Sequence, residues 1–214
     1  MKRPVLIFDF GNVIAFFDYT IAARRLAQRT GRSVESLMER ANTSAAQTLF
    51  RDFECGRLTP EEYHQGVCRN LDLELPIEEF AALWCDIFWI NAPVSRLIAR
   101  LASDGYRLIL GSNTSRLHAD FYRRRFAESL APFESCVFSY EVGAMKPAPA
   151  FYEACQVAAG VPHADCVFID DLRENVEAAR TAGLEGIQYV SPVQLVAELR
   201  ARNVRSPATE RRPL

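Results

Sequence analysis

The chain has 214 residues, 49% of them hydrophobic, enough for one sizeable core and a small second unit hinged to it. Its 25 basic and 27 acidic residues are interspersed and leave a formal charge of −2, which argues against nucleic acid or an anionic membrane as partner, so any anion recognition must be local. No apolar run approaches the roughly 20 residues of a membrane-spanning helix, and the N-terminus enters a strand pattern without a leader-like segment, so a cytoplasmic protein is expected.

Pro4-Val5-Leu6-Ile7-Phe8-Asp9-Phe10 is a continuous apolar run that ends in a carboxylate and Gly11, the pattern of a parallel strand covered on both faces. From 16 to 93 the spacing turns helical. Helices are predicted over Tyr19 to Thr30, Val34 to Arg40, Thr43 to Glu54, Pro60 to Leu71 and Ile77 to Phe88, with Gly31, Gly56 and Pro76 as breaks. Thr59-Pro60-Glu61-Glu62 supplies a cap, a first-turn proline and a capping-box glutamate.

After Asp104, strands (Tyr106 to Leu110, Cys136 to Ser139, Cys166 to Ile169, Gly186 to Val190) alternate with helices (Arg116 to Phe126, Ala150 to Ala159, Glu174 to Ala182, Pro192 to Arg202). That alternation implies an α/β fold with a doubly wound, Rossmann-like parallel sheet. The expected organisation is a core from 1–15 and 94–202, an inserted all-helical cap from 16–93, and a flexible tail from 203–214. The six cysteines form no C-x-x-C pair and read as reduced, mostly buried thiols.

Asp9, Ser112-Asn113, Lys146 and Asp170-Asp171 each fall at the C-terminal end of a predicted strand, and in a parallel sheet those ends share one edge. Singly, each reads as a turn, a helix cap or a solvated loop residue. Together they bring a carboxylate nucleophile, oxygen-binding groups, one fixed cation and an acidic pair for a metal to one place. A phosphate monoester is a dianion that repels a carboxylate, so attack by Asp9 needs cations on the phosphoryl oxygens. Lys146 is one; Mg2+ at Asp9, Asp171 and Asp170 is the other. Ser112, Asn113 and the backbone N–H groups opening a helix at Thr114 are expected to take the remaining oxygens.

The segments Phe8-Asp9-Phe10-Gly11-Asn12-Val13, Gly111-Ser112-Asn113-Thr114, Lys146-Pro147 and Phe168-Ile169-Asp170-Asp171, with Asn175, resemble the haloacid-dehalogenase-like hydrolases whose helical cap follows the first strand. Within that superfamily they look most like bacterial sugar-phosphate phosphatases related to α-glucose-1-phosphatase. The resemblance implies Asp9 as nucleophile and metal ligand, Ser112, Asn113 and Lys146 on phosphate, Asp171 on magnesium, and Asp170 as a ligand or its supporting partner. The expected substrate is a small phosphate ester; monomer and dimer both stay open.

One departure stands out: the superfamily's phosphatases usually carry a second aspartate where this chain has Gly11. The Gly11 backbone carbonyl can still bind the metal, but no side chain remains there for proton transfer, an assistance worth roughly 10²- to 10⁴-fold in rate. Two other readings therefore stay in play, a metal-independent 2-haloacid dehalogenase and a non-catalytic relative that binds a phosphometabolite or protein. Asp170-Asp171 argues against the first, because a metal-free site gains nothing from extra negative charge beside its nucleophile.

In the cap, Arg51, Asp52, Glu54, Gly56 and Arg57 form the most polar stretch, and Glu54 is a specificity candidate. Asp18 reads either as a partner for a sugar hydroxyl or as the cap of the helix from Tyr19. Arg116 could reach an anionic group, although solvent exposure is the plainer expectation for both Arg116 and His118; Trp84 and Trp89 are expected in the core.

Overall fold

The computed structural model describes residues 3–204. The chain opens with β1 (Val5–Phe8) and β2 (Ala15–Phe17), then runs through five helices: α1 (Tyr19–Thr30), α2 (Val34–Ala41), α3 (Ser44–Glu54), α4 (Pro60–Leu71) and α5 (Ile77–Cys85). It returns through β3 (Phe88–Ile90), α6 (Ala92–Ser103), β4 (Leu108–Ser112), α7 (Arg116–Arg125), α8 (Ala127–Leu130), β5 (Ser135–Phe138) and α9 (Ser139–Val142). The remainder is α10 (Pro149–Ala159), β6 (Cys166–Asp170), α11 (Arg173–Thr181), β7 (Glu185–Gln188) and α12 (Pro192–Ala201).

Five strands form a parallel sheet in the order β5-β4-β1-β6-β7. The chain winds outward from β1 to one edge and then returns to the other side of β1, so β1 lies at the switch point where open α/β sheets bind ligands. Alternation divides the core. Leu6 and Phe8 join Leu108, Leu110 and Ile169 in a cluster with α6, α7 and α12, while Val5 and Ile7 join Ile109, Cys166 and Phe168 in a second cluster under α10 and α11.

The helical insertion has its own apolar centre around Phe53, Tyr63, Leu75 and Phe80. Its helix starts follow from sequence: Asp18, Ser33, Thr43 and Thr59 cap α1 to α4 through their side chains, and Thr59 and Glu62 complete the capping box. Cap and core are joined by the antiparallel ribbon of β2 and β3, with Phe16 opposite Trp89 and Phe17 opposite Phe88. Buried Asn91 fastens this crossing, its Nδ2 donating to Val13 O at 2.9 Å and to the Tyr189 hydroxyl at 2.8 Å.

Several expectations need correction. The helix predicted to Phe88 ends at Cys85, because Phe88 pairs with Phe17 in the ribbon. Trp89 is no core residue: it is 47% exposed, with its ring 6.1 Å from that of Phe16. The tail expected from 203 lies outside the described residues beyond 204, and Val204 itself is buried. No helix among the described residues is long and apolar enough to cross a membrane, and all six cysteines are free thiols.

Candidate active site

Phe8 pairs with Leu110 on one side and Ile169 on the other, so the next residues, Asp9, Gly111 and Asp170, come level at the C-terminal edge of the sheet. The Asp9 N–H extends the ladder by donating to Ile169 O at 2.8 Å. Lys146 fills the space between them. Its Nζ donates to Asp9 Oδ1 at 2.6 Å, to Asp170 Oδ2 at 2.7 Å and to Gly111 O at 3.2 Å, which uses all three ammonium protons. Lys146 does not follow a strand directly, as its motif position implied; it comes after α9, in the connection to α10.

Asn113 holds it there. The Asn113 Oδ1 accepts from Lys146 N at 2.7 Å and its Nδ2 donates to Lys146 O at 3.0 Å. The side-chain amide expected to hold phosphate is thus committed to the lysine's backbone. A second expectation shifts in the same loop: the helix begins at Arg116 with Ser115 as its cap, and the Thr114 N–H donates to Ser139 Oγ at 2.8 Å. Ser112, buried at the end of β4, makes a long contact of 3.3 Å from its hydroxyl to Asn113 O.

On the other flank, Asp170 is fully buried and its second oxygen, Oδ1, accepts from Leu172 N at 2.9 Å and Asn175 Nδ2 at 3.0 Å. Asp171 is half-buried and receives the Asn12 Nδ2 at 3.1 Å; Asn12 adopts a left-handed φ of 55°, a conformation asparagine tolerates. Hydrogen bonds from Ala15 N to Phe10 O (2.9 Å) and from Asn12 N to Ala15 O (2.7 Å) hold Gly11 in a bridge to Ala15.

Charge at this edge is out of balance. Burial pushes the Asp9 carboxyl up to about 7 against the pull of Lys146, and Asp170 and Asp171 push it further in the same direction. Burial also raises Asp171. Burial alone would lower Lys146, but Asp9 and Asp170 outweigh it and keep the ammonium charged above the usual lysine range. One cation thus faces three carboxylates. One oxygen from each of Asp9, Asp170 and Asp171 lies within 4.8 Å of the others. An octahedron with bonds of about 2.1 Å spaces its ligands roughly 3.0 to 4.2 Å apart, so this all-oxygen set fits Mg2+ with a small contraction.

The cap residues expected near the site divide. Glu54, the last residue of α3, is only 7% exposed and lies in electrostatic reach of Asp9 and Lys146. Asp18 caps α1, accepting Thr20 N and Thr20 Oγ1 at 2.8 Å each. Arg116 projects outward, its side chain 66% exposed and 3.8 Å from Asp120. His118, expected at the surface, is instead buried in the joint between α7 and the cap, stacked on Trp84 at 5.7 Å with its Nε2 3.3 Å from Trp84 O. A separate, largely apolar cavity of about 330 Å³ lies inside the cap between Tyr19, Phe50, Tyr63 and Trp84; none of the acidic residues of the sheet edge lines it.

Sequence reasoning missed Phe17, Asn12 and Ser139. Phe17 is the most consequential: a Cβ on Gly11 would meet its ring at 2.9 Å, so the ring covers the face from which a side chain would project.

Comparison with known proteins agrees with this architecture. The chain is 26% identical over 186 residues to the phosphatase MT3486 of Mycobacterium tuberculosis, covering 86% of each. It is 23% identical to a D-ribitol-5-phosphate phosphatase of Bacteroides thetaiotaomicron over 86% of this chain and 90% of that one. The crystal structure of the enzyme bt-2542 of Bacteroides thetaiotaomicron, in complex with magnesium and inorganic phosphate, superposes with a TM-score of 0.76 over 88% of this chain and 95% of that one, at 21% identity. The family model of the haloacid dehalogenase-like hydrolases matches residues 4–183, and with its parallel core and inserted helical cap the chain belongs to that family.

Proposed function

We propose that the protein is a Mg2+-dependent phosphatase acting on a small phosphate ester through a phosphoaspartate on Asp9. The observation that carries this reading is the triangle of Lys146 Nζ with Asp9 Oδ1 and Asp170 Oδ2, at 2.6 and 2.7 Å, beside Asp171. It joins a nucleophile to a fixed cation and leaves a surplus of carboxylate oxygens.

Asp9, Asp171 and the Gly11 carbonyl would hold the metal. Asp170, whose oxygens already serve Lys146, Leu172 and Asn175, chiefly positions Lys146 and adds to the negative field. The metal, when bound, supplies charge neutralisation at the phosphoryl oxygens. Lys146 fixes the rotation of the Asp9 carboxyl and offers its charge to the same oxygens as phosphate displaces its present partners. The Ser112 hydroxyl turns from the Asn113 carbonyl to phosphate, and Asn113 acts through Lys146. Asp9 attacks phosphorus in line, the alcohol departs, and water then releases phosphate from the aspartyl ester.

A sugar phosphate is the proposed substrate class, supported by the motif resemblance and by the similarity to the D-ribitol-5-phosphate phosphatase of Bacteroides thetaiotaomicron. The lone cation of the buried triangle, Lys146, and the balanced overall charge favour such a small ester over nucleic acid. Six free thiols suit a cytoplasmic setting.

The test is phosphate release from sugar phosphates, nucleotides and p-nitrophenyl phosphate, with and without Mg2+, for wild type and Asp9→Asn. Magnesium-dependent release that the substitution abolishes is expected. Chloride release from 2-chloropropionate without metal, and no phosphate from any ester, would overturn the reading.

A further inference from the structure

Position 11 provides no side chain for proton transfer to the leaving oxygen, and the Phe17 ring stands 2.9 Å from where its Cβ would be. Among the described residues three carboxyl side chains are buried, and two of them, Asp9 and Asp170, belong to the triangle with Lys146. The third is Glu54, and it comes from the cap. We propose that Glu54 is the general acid for the leaving oxygen and the general base for the hydrolytic water, in place of the side chain missing at Gly11. This rests on the phosphatase reading of Asp9.

Three observations place Glu54 for that work. A buried structural carboxylate is held by donors; Glu54 is 7% exposed and has no hydrogen-bond or ion-pair partner among the described residues. Its position is fixed by the backbone. Gly56, two residues on with φ 68°, lies so close to α9 that a Cβ there would stand 2.1 Å from the Tyr140 carbonyl oxygen. That contact docks the end of α3 on the core, at the edge where Ser139 of α9 holds Thr114 of the phosphate loop.

The third observation is electrostatic. Asp9 and Lys146 on the core, and Tyr19 and Tyr63 on the cap, are the titratable groups in reach of Glu54. Burial pushes its carboxyl up to about 8, with Lys146 pulling down and Asp9 pushing up. Further positive charge beside Asp9 brings it down from there, so it exchanges a proton near neutral pH, as an acid–base catalyst must.

The proton balance closes. As an Asp9 oxygen bonds to phosphorus, the bond from phosphorus to the ester oxygen breaks with its electron pair on that oxygen, which takes the Glu54 proton and leaves as the alcohol. The Glu54 carboxylate then takes a proton from water while the water oxygen bonds to phosphorus. The acyl phosphate bond breaks, Asp9 is a carboxylate again, inorganic phosphate leaves, and Glu54 is protonated for the next cycle.

The test compares wild type, Glu54→Gln and Glu54→Asp on aryl phosphates from 2,4-dinitrophenyl to phenyl phosphate. For Glu54→Gln, kcat/KM is expected to fall by roughly 10²- to 10⁴-fold on phenyl phosphate and by less than about tenfold on the dinitrophenyl ester, which needs little protonation. Dinitrophenolate should appear in a stoichiometric burst as phosphoenzyme accumulates, because the water has also lost its base. Wild-type kcat/KM on phenyl phosphate should fall as pH rises through the Glu54 pKa; Glu54→Gln should lack that limb and Glu54→Asp should keep it. An equal loss across all leaving groups, or kcat/KM within about threefold of wild type on phenyl phosphate, sinks the proposal while wild-type turnover leaves the phosphatase reading standing. A wild type that releases no phosphate sinks both.

Discussion

The ring of Phe17 occupies the face of Gly11: its Cε1 would lie 2.9 Å from a Cβ there, with Asp9 Oδ2 at 3.9 Å from the same point. An acidic side chain at position 11 would sit beside the nucleophile, and the ring would have to shift to admit it.

Gly11→Asp alone should accordingly damage the protein rather than improve it. Overpacking of this kind costs about 1–3 kcal/mol, so the urea midpoint should fall with no gain in kcat. Adding Phe17→Ala should open the space, restore phosphatase activity, and make Glu54→Gln tolerable in that background. A gain in turnover from Gly11→Asp alone would show that the ring is no barrier.

Asn113→Ala separates a positioning role from a phosphate contact. The side chain satisfies both the N–H and the C=O of Lys146, at 2.7 and 3.0 Å. Removing it leaves a partly buried backbone pair unsatisfied, at a cost of about 1–3 kcal/mol. Ligand-free stability should fall by that amount and activity with it. Unchanged ligand-free stability with weaker phosphate inhibition would return Asn113 to the substrate.

Much of this site was legible because its chemistry sits where apolar strand runs stop. Val5 to Phe8 and Cys166 to Ile169 announce buried parallel strands, and Asp9 and Asp170 end them. Lys146 was found by its motif, yet α9 intervenes between it and β5, and a four-residue helix leaves no readable period. The β2–β3 ribbon was invisible for the same reason: three residues a side carry too little alternation, and Phe88 reads equally well as the end of an amphipathic helix. His118 failed differently. Local polarity predicted exposure, but a flat imidazole can stack on Trp84, and only the docking of cap on core decides that.

Metal binding should be measurable without turnover. With three carboxylates against one lysine, Mg2+ at 100 times its dissociation constant should stabilise the fold by about 2.7 kcal/mol. That corresponds to a rise of roughly 5–10 °C in Tm for a chain of this size. Asp171→Asn should lose the shift, whereas Arg116→Ala, on an exposed side chain, should keep it. An equal shift in the Asp171 variant would place the metal elsewhere.

Lys146→Met should leave Asp9 and Asp170 buried without their shared cation. Breaking a buried pair on one side costs about 3–5 kcal/mol, so metal-free stability should drop by that order, and Mg2+ should recover part of it by supplying charge to the same carboxylates. Denaturant unfolding with and without Mg2+ checks both parts. A variant as stable as wild type in chelator would mean that the triangle contributes no net stabilisation.

His118 links stability to pH at the cap joint. Burial lowers its pKa to about 4, against the opposing hydrogen bond to the Trp84 carbonyl, while in the unfolded chain it titrates near 6.5. Between those values the unfolded state binds the extra proton, so stability rises with pH across the window and is lost as the solution is acidified from about 6.5 to 4. The full difference is worth about 3 kcal/mol. His118→Phe keeps an aromatic ring against Trp84 and removes the titration, so its stability should be flatter over that range than the wild type's. Because the ring stacks on Trp84 of α5 and meets Phe88 of β3 edge-on at 5.1 Å, Trp84 fluorescence should report the loss before global unfolding. Parallel pH profiles for the two proteins would show that His118 binds protons equally in the folded and unfolded chain, and would remove it as a source of acid sensitivity.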